Sequence, residues 1–570
     1  MLMVVWAPLA GGAERPAATA LVEQMVFTLV VIWVLKSTLL QPPAAPASAQ
    51  LMRLAIPMAA FAAYIALQLV PLSPAIMKVV SASTHHLYVR TRMAPPWLNA
   101  NPAPPLETLS IAPALTRSAL LKVLAYFCLM LVVAHYPLEP RNSGREAQSF
   151  TGALGVAALI SALMAGLAGA VFLFGGHRGL AEVPTLTTLR ASGTFHNADH
   201  FADYLMLAFP LAVTGALSPE SFVRRGWREP FTLFATLTSV VCLVGLMISL
   251  SRGAWLAGVL GSAALVFAGS RRQPRNIDGP EPRRGRIIPY AALAGCLLLL
   301  LALIVAGAPA TGAIADRLSE TAGYDTSMLD RFTVWRDSLA VVRDFPALGV
   351  GLGCWPEIFS RYDRAPWDPD YFWREAHNDY LQLLEEAGAI GALLAGWILF
   401  AQGRALLLAR QAVSSRRLAL VAAAIAGAVG VAAHELFDFS LQVPANALLL
   451  VVILGLAHRQ AAHAGVQWWQ PARTSSGRIY AAMGSAAVAI VALLLITCTW
   501  RHDRLAYPDN LDSGMDAAAA LGPAAATARI TAMIRAYPAH GPLHLELGRV
   551  LQARGLDGPA QHELDTAVWL

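Results

Sequence analysis

The sequence predicts an all-α polytopic membrane protein of about twelve transmembrane helices, with a large external loop and a helical C-terminal tail. Three observations predict it. Of 570 residues, 56% are hydrophobic and 14% charged, and mean hydropathy is +0.53; soluble domains run roughly 45–50% apolar and 25% charged. Apolar stretches of about 20 residues, enough to cross a bilayer, recur along most of the chain. Arginines gather in alternate segments between those stretches.

Candidate spans fall near residues 17–36, 52–70, 118–136, 151–174, 200–217, 232–250, 254–269, 287–307, 380–400, 418–437, 444–457 and 479–499. The basic clusters are Lys36 with Arg53; Arg141 and Arg145; Arg224, Arg225 and Arg228; Arg271 to Arg286; Arg404, Arg410, Arg416 and Arg417; and Arg459, Arg473 and Arg478. Basic loops on every second turn are the positive-inside pattern, so these loops are expected to be cytoplasmic. The pI near 9.2 is thereby explained without nucleic acid, which needs a basic stripe instead. By alternation, 71–117, 175–199, 308–378 and the tail face outward, dividing the chain into a membrane domain, 1–499, and a tail, 500–570. The parity puts the first residues outside unless Met1 to Ala10 is the stub of a further helix.

Cys128, Cys242 and Cys296 lie in apolar spans, where a thiol behaves as a small hydrophobe. Cys354 and Cys498 would both be external, and a disulfide between them is conceivable. No CxxC or HExxH spacing occurs, so no metal site is expected. Asp368-Pro369-Asp370 resembles a metal-binding carboxylate pair, but nearby arginines offer simple ion pairs. The tail positions Leu545, Gly548, Gly555, Ala560, Leu564 and Ala567 fit one helix-turn-helix unit of the tetratricopeptide kind. One such unit cannot bury its own core, so either degenerate repeats in 504–540 precede it, or the tail packs on the loops or on a protein partner, or the natural chain continues beyond Leu570.

Chemistry concentrates where external loops become helices. His377-Asn378-Asp379 opens a helix, with Asp379 and Gln382 at capping-box spacing. The free N–H groups and positive dipole end there attract anions and disfavour imidazolium, so His377 is a candidate general base beside a phosphate. Asn378, Gln382 and Glu385 or Glu386 form a polar stripe within an apolar helix, a costly arrangement that points to function; simple capping and interhelical bonding is the plainer alternative. Arg252 in Ser251-Arg252-Gly253-Ala254-Trp255 interrupts two apolar runs on the external side, where its fork matches a pyrophosphate or snorkels to headgroups. Arg331-Phe332-Thr333-Val334-Trp335-Arg336 and Gly349-Val350-Gly351-Leu352-Gly353 follow in the large loop, the glycines shaping a tight turn rather than a nucleotide site. Arg190 to Phe201 and His434 to Phe439 add two polar clusters on the same expected face. Aromatics in the large loop suit sugar stacking or an interfacial belt.

In these motifs, SRGAW, RFTVW…FPALGVGLGCW, HNDYLQLLEEAGAIG and FDFSLQVPANALLL, the chain resembles the O-antigen ligase/polymerase superfamily over roughly residues 1–460. The resemblance implies a metal-independent, GT-C-like glycosyltransferase of the bacterial inner membrane, with its active site facing the periplasm and no cofactor. Its donor would be an undecaprenyl-pyrophosphate-linked glycan and its acceptor a hydroxyl, on lipid A-core for an O-antigen ligase. Carried over residue by residue, Arg252 and Arg331 hold the pyrophosphate and His377 is the base. Asn378, Arg190, His200, Arg336 and His434 are the expected substrate-binding residues. The run Asn197-Ala198-Asp199-His200 departs from the family pattern by placing an acidic Asp199 where pyrophosphate would bind.

A polymerase or a protein O-oligosaccharyltransferase uses the same donor and differs in acceptor. A twelve-helix transporter is the alternative of another class, and it predicts repeated halves and midplane charges, which the sequence does not display. A non-catalytic scaffold built around the tail leaves His377 and Arg252 unexplained.

Overall fold

Small residues set the closest helix packing in the computed structural model of the chain, which describes residues 1–36, 49–91, 106–135, 143–174, 190–270, 326–364, 373–463, 491–497, 515, 518 and 521–570. The chain divides into two compact units, 1–55 with 125–325 and 399–496, and 56–124 with 326–398 and 497–570.

The first unit holds α1 (Leu2–Leu9), α2 (Pro16–Leu35), α7 (Ser143–Phe174), α8 (Ala198–Leu217), α9 (Arg228–Ile248), α10 (Arg252–Gly269), α14 (Ser415–His434) and α15 (Pro444–His463). Helix α8 is buried along nearly its whole length and packs against α7, α9, α10, α14 and α15. A Cβ on Gly261 of α10 would stand 3.0 Å from the Ala426 carbonyl of α14, and one on Gly430 would meet Met206 of α8. Ala257 with Gly261 and Ala426 with Gly430 are thus small-xxx-small pairs, which let apolar helices approach closely where lipid offers no hydrophobic drive.

The second unit holds α4 (Pro74–Val80), α5 (Ala82–Thr91), α11 (Thr326–Asp344), α12 (Trp355–Tyr362) and the tail helices α16 (Pro523–Ala536), α17 (Gly541–Ala553) and α18 (Asp557–Trp569). Helices α3 (Ala49–Gln68), α6 (Pro113–His135) and α13 (Asp379–Ala412) contribute residues to both units. Ile530, Ile534, Tyr537, Leu543, Leu547 and Leu551 of the tail share one buried core with Leu87, Ile111, Val341, Phe345 and Ile358. Of the expected ways for the tail to bury its apolar face, packing on the preceding helix α16 and packing on loop elements are both observed. His540 reinforces it at 3.0 Å from Glu357, and Arg361 lies 3.7 Å over the Trp569 ring. Within the tail, Gly548 sits against Leu564, and His544 pairs with Glu563 at 2.7 Å where both are fully buried.

Among the described residues, nine helices are long and apolar enough to cross a membrane, and Leu54–Gln68 is a shorter apolar helix. Of the about twelve expected, the stretch 287–307 and most of 479–499 lie outside the described residues. Helix α1, eight residues long, reaches only about 12 Å at 1.5 Å per residue and does not cross. The segments Arg271 to Arg286 and Asp368 to Asp370, with Cys296, Cys498, Arg473 and Arg478, also lie outside the described residues.

Candidate functional site

In the first unit, one end gathers the polar side chains. Helices α2, α8, α10 and α15 begin there, and α9 and α14 end there. Asn197 caps α8 through Oδ1, which accepts from the Asp199 N–H at 2.8 Å, and Ser251 caps α10 through the Ala254 N–H at 3.3 Å. The Arg190 guanidinium donates to Asp199 and, through Nε, to the Ser249 carbonyl at 2.9 Å. His200 stands 3.1 Å from Glu14 and edge-on to Phe439. His434 lies 3.4 Å from Asp203 and 3.2 Å from Ser440, and its ring packs on the backbone of Gly253, next to Arg252. The opposite end carries Lys36, Arg224, Arg225, Arg228, Arg417 and Arg459 near the closing or opening turns of the same helices, with Arg410 of α13 donating to the Ala268 carbonyl at the end of α10.

In the second unit the chemistry is organised by a broken helix. Gly388 interrupts α13 with φ 62° and ψ −174°. The carbonyls released by the break are taken up from outside the helix: Val350 N–H donates to Glu385 O at 3.0 Å and Gly351 N–H to Glu386 O at 2.9 Å. Tyr64 and Gln68 supply side-chain donors to Ala387 O and Glu386 O. In return Ala389 and Ile390 donate to the carbonyls of Pro346 and Ala347. Gly349, Gly351 and Gly353 all have positive φ, and a Cβ on Gly349 would stand 2.3 Å from Glu386 O. The glycines of the GVGLG run therefore shape a turn, as their sequence suggested, because the loop backbone must touch the break.

His377 precedes this helix in the left-handed region, φ 53°, which few non-glycine residues adopt. Its ring meets Trp373 edge-on at 5.5 Å. The capping residue is Asn378, whose Oδ1 accepts the Leu381 N–H at 3.0 Å. The expected capping box on Asp379 is shifted by one: Gln382 instead accepts the Ala376 N–H at 2.9 Å and donates to Glu375 and Glu386. Glu386 also accepts the N–H groups of Gly353 and Trp355. Glu385 is fully buried, and Ser338 and Trp355 are the polar groups facing it. Arg331 and Arg336 lie on α11; Arg336 is exposed and pairs with Asp337 at 2.9 Å. Cys354 is a free thiol, buried between Ser110 and Thr116, and burial pushes its pKa up to about 12.

The structure thus brings Arg190, His200, Arg252 and His434 together in one unit, and Arg331, Arg336, His377 and Asn378 in the other. Sequence reasoning missed Asp203 behind His434, Glu14 beside His200, the Trp335 N–H on Ala376, and Tyr64 with Gln68 at the break. A carboxylate such as Asp203 within an apolar span was the available signal for the first; Tyr64 and Gln68 gave none, since their targets are carbonyls freed by a distant glycine.

Residues 237–396 match the family model described as O-Antigen ligase. The chain carries an O-antigen ligase domain. That match supports the O-antigen ligase/polymerase superfamily that its motifs resemble. Arg252, Arg331, Arg336, His377 and Asn378 lie inside the ligase domain, whereas Arg190, His200 and His434 lie outside its matched stretch. The transporter and scaffold alternatives have no comparable support. No curated protein matches the chain.

Proposed function

We propose that the chain transfers a glycan from undecaprenyl pyrophosphate to an acceptor hydroxyl at the periplasmic face of the bacterial inner membrane, the reaction being O-antigen ligation to lipid A-core. The observation that carries this reading is His377, held in a left-handed turn beside an Asn378-capped helix N-terminus inside the ligase domain. A helix N-terminus there favours a phosphate anion. His377 takes the proton of the acceptor hydroxyl as its oxygen bonds to the anomeric carbon; the bond from that carbon to the pyrophosphate oxygen breaks, and undecaprenyl pyrophosphate leaves. Arg252 and Arg331 are assigned to the developing negative charge, the role in which fixed donors contribute most. No metal or cofactor enters this scheme.

Orientation follows from charge. The basic residues at one end of the first unit fit a cytoplasmic surface, leaving the His434 and Arg252 end outward. Arg190 answers Asp199, so in this reading it shapes the loop and Asp199 does not repel the donor. The α17–α18 hairpin is read as a tetratricopeptide-like unit offering a surface to a protein partner, its crossing formed by Gly548 and Leu564.

Purified protein given an undecaprenyl-pyrophosphate-linked oligosaccharide with lipid A-core, with a second donor molecule, or with a peptide tests the reading. Product on lipid A-core, undiminished by chelator, is expected. Elongated donor alone would make it a polymerase, glycosylated peptide a protein oligosaccharyltransferase, and chelator sensitivity would refute metal independence.

A further inference from the structure

Ala376, the residue before His377, is gripped from two sides. Ala376 is fully buried, its N–H held by Gln382 Oε1 at 2.9 Å and its carbonyl by the indole N–H of Trp335, also at 2.9 Å. The next residue turns to φ 53°, a conformation that is costly for a residue with a Cβ and persists only where its surroundings impose it. Both grips are anchored. Gln382 is 2% exposed and tied to Glu386, which in turn holds the N–H groups of Gly353 and Trp355. Trp335 rides on α11 beside Val334, which is buried with Trp355, Phe359 and Trp373. Trp373 meets the His377 ring edge-on.

Trp335 also stands four residues after Arg331 on α11, so the two share a helix face. One indole therefore couples the helix bearing a proposed pyrophosphate ligand to the backbone of the proposed base.

We propose that Trp335 is a positioning residue for His377, acting through the Ala376 carbonyl, with Gln382 as its counterpart on the N–H. Trp335 need not touch substrate; its indole N–H sets where the imidazole stands. This assignment rests on the reading of His377 as the base. Small displacements of a base are expensive, since a misplacement near 1 Å costs about a hundredfold in rate.

The test compares Trp335→Phe, which keeps a ring and removes the donor, with Gln382→Met and His377→Ala in the full-length protein. The substrates are an undecaprenyl-pyrophosphate-linked oligosaccharide and lipid A-core. Expected for the first two variants is a fall in kcat of about tenfold to a hundredfold, with KM for the donor and the unfolding midpoint held. Modification of His377 by diethyl pyrocarbonate, read by mass spectrometry, is expected to change rate in both, and this readout needs no acceptor. Unchanged kcat and modification rate in both variants, with His377→Ala inactive, would overturn the role of Trp335 and leave the base in place. A fall in kcat matched by a fall in midpoint in both variants would show a merely structural role and overturn it as well. Full activity in His377→Ala would remove the base and this proposal with it.

Discussion

Gly349 and Glu386 meet backbone to backbone, so closely that a Cβ on Gly349 would stand 2.3 Å from the Glu386 carbonyl oxygen. The relation is reciprocal, because a Cβ on Gly388 would stand equally close to the Ala347 carbonyl. Gly349→Ala and Gly388→Ala are each expected to lower stability by at least about 1–2 kcal/mol from the left-handed backbone alone, with main-chain overlap adding to it. Gly396→Ala, where a Cβ meets nothing within 4 Å, is the control. Thermal unfolding in detergent checks this; equal midpoints for all three variants would contradict the clasp.

Asp203 and His434 face each other at 3.4 Å with almost no exposure. Removing one partner of such a pair leaves a polar group uncompensated and costs about 3–5 kcal/mol. Asp203→Ala is expected to unfold at a distinctly lower temperature than Asp203→Asn, which keeps an acceptor toward the ring. Identical midpoints would show that the pairing does not hold α8 to α14.

Cys354 is expected to resist maleimide in the folded protein at neutral pH and to react on denaturation, because the thiol is buried and its pKa is pushed up to about 12. The sign follows. The folded state keeps this proton through a window in which the unfolded chain, with a thiol pKa near 9, has lost it. The contribution to stability is therefore full below the unfolded pKa near 9 and declines as pH rises toward 12. Unfolding midpoints across alkaline pH for the wild type and Cys354→Ser measure it; a wild-type decline no steeper than that of the variant would refute the buried thiol.

Arg252→Lys keeps the charge and loses the planar fork that matches a pyrophosphate. Transfer is expected to fall by about 10²–10³, the usual loss for one donor to a developing oxyanion, with little change in unfolding. Wild-type rates in the lysine variant would remove Arg252 from the donor site.

Much of this architecture was legible because hydropathy is a local property: among the described residues, nine helices long and apolar enough to cross a membrane appear where apolar runs stood, including α8 and α10. The polar clusters around His377, Arg252 and His434 were legible for a related reason, since charged groups beside apolar runs stand out by their cost. What escaped was non-local. The break at Gly388 reads as one more glycine in a helix until the partners of its carbonyls, Val350 and Gly351, are known. Trp335 reads as an interfacial aromatic until its N–H is seen on Ala376. The cap moved from Asp379 to Asn378 because Gln382 is spent holding Ala376. The joining of the tail to the elements around Val341 and Phe345 depends on contacts far apart in sequence, which no periodicity encodes.

The measurement that bears most directly on the central claim is the single-turnover rate of glycan transfer from undecaprenyl pyrophosphate to lipid A-core by His377→Ala, beside its unfolding midpoint. General-base removal predicts a loss of about 10²–10⁴-fold with the midpoint of the wild type. Transfer at the wild-type rate by a folded His377→Ala protein would contradict the account.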